Sequence, residues 1–381
     1  MTHWLETESN RLDGLFNGVF PWLLEQFDPL TGGFYYARSS VLDDRFTPDI
    51  ESTSQAINIL RRHQLLDNMP QTMKEKMIAF FQMRQDAATG YFYDHDPNMK
   101  KDEVMVHRAL HYSRNSLMRL GASPLYPLPV ENQLAPSYTK SLSLYRKKWE
   151  SIDLRNSWRG SDLLSSSTVY FAEMDEAKQQ KYVQTFTEYL AEKQDPETGL
   201  WGEGSLYVRI SGTFKLHAFY RRYQIPMPNQ DRIYQTILHC LREEEAVDMC
   251  YIRNPIDLLS YIEPNISKIE LREISEITIN NMKRLKQKDG AFSRELAHSP
   301  KAPNVAQVKH GEYYPNMPEA VELSLGLKEG DMNATTQATL IRKQLHQLWQ
   351  KQPKPIPTNF WDIGEVGISH FKDKINKQKE V

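Results

Sequence analysis

The sequence predicts an all-α protein: a single (α/α)6 toroid in which six outer–inner helix pairs surround a central cavity. Three observations carry that expectation. A short turn phrase recurs along the chain, the segments between its copies carry apolar residues at three- and four-residue spacing, and no long stretch alternates as a strand would. The phrase reads Asp28-Pro29-Leu30-Thr31-Gly32-Gly33-Phe34, then Asp86-Ala87-Ala88-Thr89-Gly90-Tyr91-Phe92, then Asp195-Pro196-Glu197-Thr198-Gly199-Leu200-Trp201, with a reduced copy at Asp289-Gly290-Ala291-Phe292. The first two copies begin 58 residues apart and the third 109 further on. The repeating unit is therefore about 55 residues, with one copy eroded. In each phrase the Asp can bind nearby amides, the Gly accepts positive φ, and the aromatic anchors the turn to the body.

The first outer helix is expected over 5–27, where Leu12, Leu15, Phe16, Val19, Phe20, Leu23, Leu24 and Phe27 share a face. Its inner partner, 49–65, opens with Asp49-Ile50-Glu51-Ser52-Thr53-Ser54-Gln55-Ala56. The next pairs are expected over 70–85 with 103–120 and 137–150 with 157–173, and then 176–193 with 204–223. The last two are 229–243 with 248–263 and 267–286 with 329–348. First members such as 175–193 are amphipathic and rich in Lys, Glu and Gln, which suits an outer ring. Second members such as 205–220 carry small and aromatic residues, which suits an inner one. The last inner helix opens with Asp331-Met332-Asn333-Ala334-Thr335-Thr336-Gln337-Ala338, matching the first at its Asp, Thr, Gln and Ala. Asp49 and Asp331 read first as caps on free amides at the positive end of a helix dipole. Segments 121–136, with four prolines, and 296–318 read as surface loops or cavity lids. The toroid is expected over 1–350 and a C-terminal tail over 351–381, where Phe360-Trp361-Asp362 would fold over an opening.

Across the 381 residues, 47 basic side chains against 49 acidic ones leave a formal charge of −2. Such a balance exerts no general pull toward nucleic acid or anionic lipid. Cys240 and Cys250 are the only cysteines, which excludes a disulfide framework and a four-cysteine zinc module. Neither a signal-peptide pattern nor a membrane-length apolar run is present. The expectation is a cytoplasmic protein with a small-molecule ligand in its cavity.

Gly32-Gly33-Phe34 followed by Asp49, Thr53, Ala56 and Leu60 resembles the repeat of the terpenoid-cyclase and protein-prenyltransferase toroids. Val247-Asp248-Met249-Cys250-Tyr251 is similar to the zinc-binding stretch of prenyltransferase β subunits. That resemblance implies isoprenoid chemistry, with Asp248 and Cys250 as metal ligands. At the position comparable to the family's zinc His stands Ala334, and the Asp-x-Asp-Asp acid of one cyclase class is absent. The cofactor is thus open between none, zinc and magnesium. Phe20-Pro21-Trp22 followed by Asp28 through Phe34 also resembles the opening of N-acylglucosamine 2-epimerase-like toroids, which implies carbohydrate chemistry on the same scaffold.

If the loops and first turns of the inner helices surround the cavity, they supply the candidates. The candidate catalytic acids are Asp49, Asp162, Asp248 and Asp331. The candidate substrate-binding residues are Glu51, Trp158, Arg159, Trp201, Glu203, Tyr207, Arg209, Tyr251, Arg253, Tyr313 and Trp361, with Asp257, Arg108 and Lys309 nearby in the pattern. Arginines beside aromatics at Trp158-Arg159, Tyr207-Val208-Arg209 and Tyr251-Ile252-Arg253 suit a phosphate or carboxylate, because a planar guanidinium fork matches either anion. The leading expectation is an enzyme of terpenoid-cyclase or prenyltransferase type binding a small anionic ligand. Its alternatives are a carbohydrate-active enzyme (glycosidase, epimerase or lyase) and a non-catalytic binding toroid. Walker-A, His-Glu-x-x-His and Gly-x-Ser-x-Gly motifs are absent.

Overall fold

A computed structural model describes residues 2–305 and 318–356. Its α-helices are α1 (Thr2–Gly14), α2 (Val19–Glu25), α3 (Arg38–Leu42), α4 (Ile50–Arg62), α5 (Gln71–Gln82), α6 (Glu103–Arg119) and α7 (Leu142–Glu150). They continue as α8 (Ser157–Ser167), α9 (Glu176–Lys193), α10 (Leu206–Tyr223), α11 (Gln230–Glu243), α12 (Met249–Ile262), α13 (Lys268–Leu285) and α14 (Met332–Leu348). The described chain is all-α. Among the described residues the extended backbone is confined to isolated bridges that pin turns.

Six of these helices contact one another in cyclic order. α4 packs on α6, α6 on α8, α8 on α10, α10 on α12, α12 on α14, and α14 returns to α4. The remaining long helices lie against this set: α5 on α6, α11 on α10 and α12, α13 on α12 and α14, and α1 on α13 and α14. Each of the six starts at a side chain that accepts a hydrogen bond from a first-turn amide. The caps are Asp49, Asp102, Asn156, Ser205, Asp248 and Asp331. Capping satisfies amides that have no carbonyl partner within the helix and fixes where each helix begins. Aromatics fill the space between the two sets: Trp149 of α7 meets Phe186 of α9, and Phe186 meets Phe219 of α10, both at 4.7 Å between ring centroids.

The repeated turns share one geometry. Asp28 accepts from the Leu30 and Thr31 amides and the Thr31 hydroxyl, Asp86 from Ala88 and Thr89, and Asp195 from Glu197 and the Thr198 hydroxyl. Bridges Phe27–Phe34, Gln85–Phe92 and Gln194–Trp201 close them in the same register. Gly32 has φ +80°, and a Cβ there would strike the Lys76 backbone of α5, so both conformation and space require glycine. The aromatic amide then reaches one of the six cyclically packed helices: Phe34 N donates to Thr53 Oγ1 at 2.9 Å, and Phe292 N to Thr335 Oγ1 at 3.2 Å.

Three expected helices are interrupted, and in the segment 137–150 a 3-10 turn, Ser137–Lys140, precedes α7, which starts afresh at the Ser141 cap. The segment 5–27 is two helices, because the chain turns at Leu15–Gly18 and Gly18 has φ +87°, which no right-handed helix accommodates. The segment 157–173 leaves the α form after Ser167 and continues as a 3-10 helix, Thr168–Glu173. There the hydroxyls of Ser167 and Thr168 donate to the carbonyls of Leu164 and Ser165, three residues back, at 2.7 Å each. Such local bonds compete with the α ladder and tighten the turn. The short α3 had no periodic signal in the sequence. Phe360 and Trp361 of the tail expected to fold over an opening, and Lys309, Tyr313 and Tyr314 of the expected lid, lie outside the described residues.

Candidate functional site

Helices α4, α6, α8, α10, α12 and α14 all contribute side chains to one cavity of about 340 Å³. From α4 come Glu51, Gln55, Asn58 and Arg62; from α6 come His107, Arg108, His111 and Tyr112; from α10 come Phe214, Lys215, Ala218 and Arg222. Their three- and four-residue spacing is the mark of one helix face. Asp162 and Ser166 of α8, Arg253 of α12, and Asn333 and Gln337 of α14 complete the wall.

The centre of this wall is a charge network. Asp162 accepts a hydrogen bond from Lys215 Nζ at 2.5 Å and lies 3.4 Å from Arg108 Nη2. Glu51 lies 3.7 Å from the other terminal nitrogen of the same guanidinium, so two carboxylates flank Arg108. Burial works to raise the pKa of Asp162, but Arg108 and Lys215 outweigh it and hold the carboxyl below its usual range. Burial lowers Lys215 to about 8, with Arg108 adding repulsion and Asp162 opposing. The Lys215 ammonium also sits 5.3 Å over the Trp158 ring. Arg253 stacks its guanidinium 3.7 Å over Phe214. Among the described residues its Nε has no hydrogen-bond partner, and neither have Gln55 Oε1 and Gln337 Oε1. Both glutamines are buried, held through their amide nitrogens by Glu51 at 2.9 Å and Asn333 at 2.6 Å. A buried acceptor without a donor is costly, and both glutamines are among the residues that line the cavity. His107 is fixed from behind: its Nε2 shares a hydrogen bond with the Tyr170 hydroxyl at 2.9 Å, which in turn bonds Tyr91.

A second cavity of about 370 Å³ adjoins the first, sharing Glu51, Arg108 and Tyr112 with it. Asp49 and Asp94 line it. Asp49 Oδ1 caps α4 by accepting from Ser52 N at 2.7 Å, while its buried Oδ2 has no partner among the described residues. Asp94 accepts from Ile50 N at 3.0 Å and from Arg84 Nε at 3.2 Å. Burial, reinforced by Asp94, pushes Asp49 up to about 8. Burial also raises Asp94, to about 6 against the pull of Arg84. Near neutral pH the pair therefore holds a proton.

The sequence candidates divide. Glu51, Asp162 and Arg253 line the central cavity, and Asp49 lines the adjoining one. Asp248 and Asp331 do neither. Asp248 caps α12 and contacts Arg294 at 3.3 Å. Asp331 caps α14 and also accepts from Arg294 N and Ser299 Oγ, both at 2.7 Å, so both carboxylates are consumed in holding loops. Asp257 binds Arg221 at 3.0 Å. Arg159 is turned to Asp102 at 2.7 Å, and Arg209 to Asp195 and Thr198 of its own turn. Trp201 is buried with its indole donating to Leu190 O. Tyr207 and Tyr251 stack on each other at 4.8 Å, and Glu203 is exposed. Cys250 is buried and accepts from Gln337. Among the described residues no three His, Cys, Asp or Glu converge as a metal site, so Asp248 and Cys250 lack a third ligand there, and a three-ligand zinc centre is not formed from these groups. Tyr313 and Trp361 lie outside the described residues.

Lys215, Tyr112, Gln55, Gln337 and Asp94 were not among the site candidates drawn from sequence, although Gln55 and Gln337 are the Gln shared by the two matching helix starts. The signal for most of them was present as polar residues at helical spacing on otherwise buried inner helices. No described helix is long and apolar enough to cross a membrane. The chain matches no protein-family model, and no curated protein is significantly similar to it.

Proposed function

We propose that the chain forms an (α/α)6 toroid and that its central cavity takes a small polyhydroxylated anion, an acidic sugar, as a carbohydrate-active enzyme. The cyclic helix contacts and the cavity wall drawn from all six helices support the toroid. One observation carries the ligand: Arg108, Lys215 and Arg253 line one cavity with Gln55 and Gln337, whose amide oxygens have no donor among the described residues. The cations call for an anion and the amide oxygens for hydroxyl donors. A sugar carboxylate offers both.

The chemistry that fits is proton abstraction next to that carboxylate, as in a lyase or epimerase. Asp162 is held ionised, which suits a charge stabiliser better than the protonated acid a glycosidase needs. Arg253 and Arg108 would neutralise the sugar carboxylate and so acidify its neighbouring C–H. Lys215, near pKa 8, would accept the proton as the free amine. In elimination the C–H electrons form the double bond as the glycosidic C–O bond breaks, and the Lys215 ammonium formed by the abstraction gives its proton to the departing oxygen. Thermal shift tests the reading: glucuronate or galacturonate should raise the melting point where glucose does not, and Arg253→Leu should remove the effect. Equal responses to glucose and the uronates would end it. Turnover should rise as pH approaches 8 and vanish in Lys215→Met.

A second reading follows the terpenoid-cyclase and prenyltransferase resemblance, with a diphosphate on the same cations and an isoprenyl chain against Phe214, Phe219 and Leu340. It would leave both glutamine oxygens buried against hydrocarbon. Geranyl diphosphate in the same thermal-shift series separates the two.

A further inference from the structure

The central cavity is not closed at the level of its charge network. Further along the helices its wall includes Arg62 and Arg222, and Ala218 and Arg222 are exposed, so it opens where the six helices end. Cations gather at this end: Arg61 and Arg62 close α4, Arg119 closes α6, Arg222 stands in the last turn of α10, and Lys343 lies on α14. Arg61, Arg222 and Lys343 are exposed. Among the described residues none of the five pairs with a carboxylate. Arg62 donates to Thr336 and Thr339, and Arg119 to Asn58 at 2.7 Å. They are close enough to repel one another: burial lowers Arg62 to about 9, Arg61, Arg253 and Arg119 add to the effect, and Asp257 opposes it. Lys343 is lowered by burial and then by Arg61 and Arg62. A cation in a last turn compensates the helix dipole, but that does not account for charges from four helices gathering around Arg62 and Arg222, which line the cavity.

We infer that this basic end of the ring is a subsite for an anionic chain, taking the uronate units of an acidic oligosaccharide that extend beyond the unit held in the central cavity. The inference rests on the acidic-sugar reading above and gives it a substrate class, an oligomer rather than a monosaccharide. The cavity runs without a break from the Asp162–Lys215–Arg108 network to Arg62 and Arg222, so a chain bound at one would continue to the other. Each further unit placed on the collar would add affinity through the effective concentration that the first unit's binding creates.

Calorimetric titration of the full chain tests this with galacturonate, its linear hexamer, neutral cellohexaose and a thymidine hexanucleotide. The hexamer should bind roughly tenfold or more tighter than the monomer at low salt, and the advantage should shrink as salt screens the collar. The double variant Arg61→Gln with Lys343→Gln, both at exposed positions, should lose that advantage while leaving monomer affinity unchanged. Arg222→Gln is an independent second variant that should also lose the hexamer's advantage over the monomer. Equal affinity for monomer and hexamer, or an advantage that survives both variants, overturns the inference. So does a hexanucleotide bound as tightly as the hexauronate, which would mean indiscriminate attraction of polyanions. Were the hexamer to bind through Arg61 and Lys343 with no detectable monomer binding, the collar would stand and the reading of the central cavity would fall. Binding by neither removes both.

Discussion

Asp49 shows how one side chain can serve a fold while being prepared for something else. One carboxylate oxygen caps α4; the other is buried, unpartnered and beside Asp94. Its pKa, ordinarily 3.8, stands near 8 in the native protein. Above pH 4 the unfolded chain therefore releases this proton while the native state keeps it. The group's contribution to stability falls as pH rises from about 4 to about 8, and is constant beyond. Asn keeps a capping oxygen and removes the titration. Asp49→Asn is thus expected to gain stability over the parent progressively between pH 5 and 8, measured by urea unfolding at both. A difference that does not change with pH would show that Asp49 is ionised in the native protein. Asp49→Ala should instead cost about 1 kcal/mol at pH 5 through the lost cap.

At the scale of the element, the repeat is a clasp between a turn and an inner helix. Thr53 Oγ1 accepts from Phe34 N and donates to Asp49 O at 2.7 Å, and Thr335 receives Phe292 N in the same way. Valine preserves the shape and deletes the acceptor, leaving a buried amide unsatisfied. Thr53→Val and Thr335→Val should each destabilise by about 1–3 kcal/mol, read as a shift in denaturant midpoint at constant slope. No loss in either would mean that the clasp is incidental. This level of organisation was largely open to reading in the sequence, because Asp, Thr, Gly and an aromatic at fixed offsets each do local work. The interrupted helices were less so: the Ser167 and Thr168 hydroxyls compete with the α ladder only through bonds a periodicity count ignores. The site was legible in part. The first turns of the inner helices were the expected source, and Glu51 and Arg253 lie there. Lys215 and Arg222, deep in α10, belong to a polar stripe that only matters once six such stripes face one another. Conversely, Asp248 and Asp331 looked chemical because an acid at a helix start is also the best cap.

For the whole molecule, buried histidines oppose the buried acids. Burial holds His63, His107 and His217 near pKa 4, against an ordinary 6.5. Between pH 6.5 and 4 the unfolded chain binds protons at these three sites and the native chain does not, so stability falls on acidification. Asp49, Asp94 and Asp331, native acids with raised pKa values, act in the opposite sense over part of that window. The histidine contribution separates by substitution: between pH 6.5 and pH 4.5 His63→Gln should lose less stability than the parent, measured as urea midpoints, and an equal loss in both would show that His63 is protonated in the native state.

The contact between α14 and α4 also sets an order of events during synthesis. The flank of α4 that meets Thr336 and its neighbours leaves the ribosome long before its partner has been translated. At roughly 5–20 residues per second, the interval between the two is on the order of 15–60 s. Throughout that wait an unfinished arc carries an uncovered helix flank, so the newborn chain is expected to lean on holding chaperones far more than a bundle completed hairpin by hairpin.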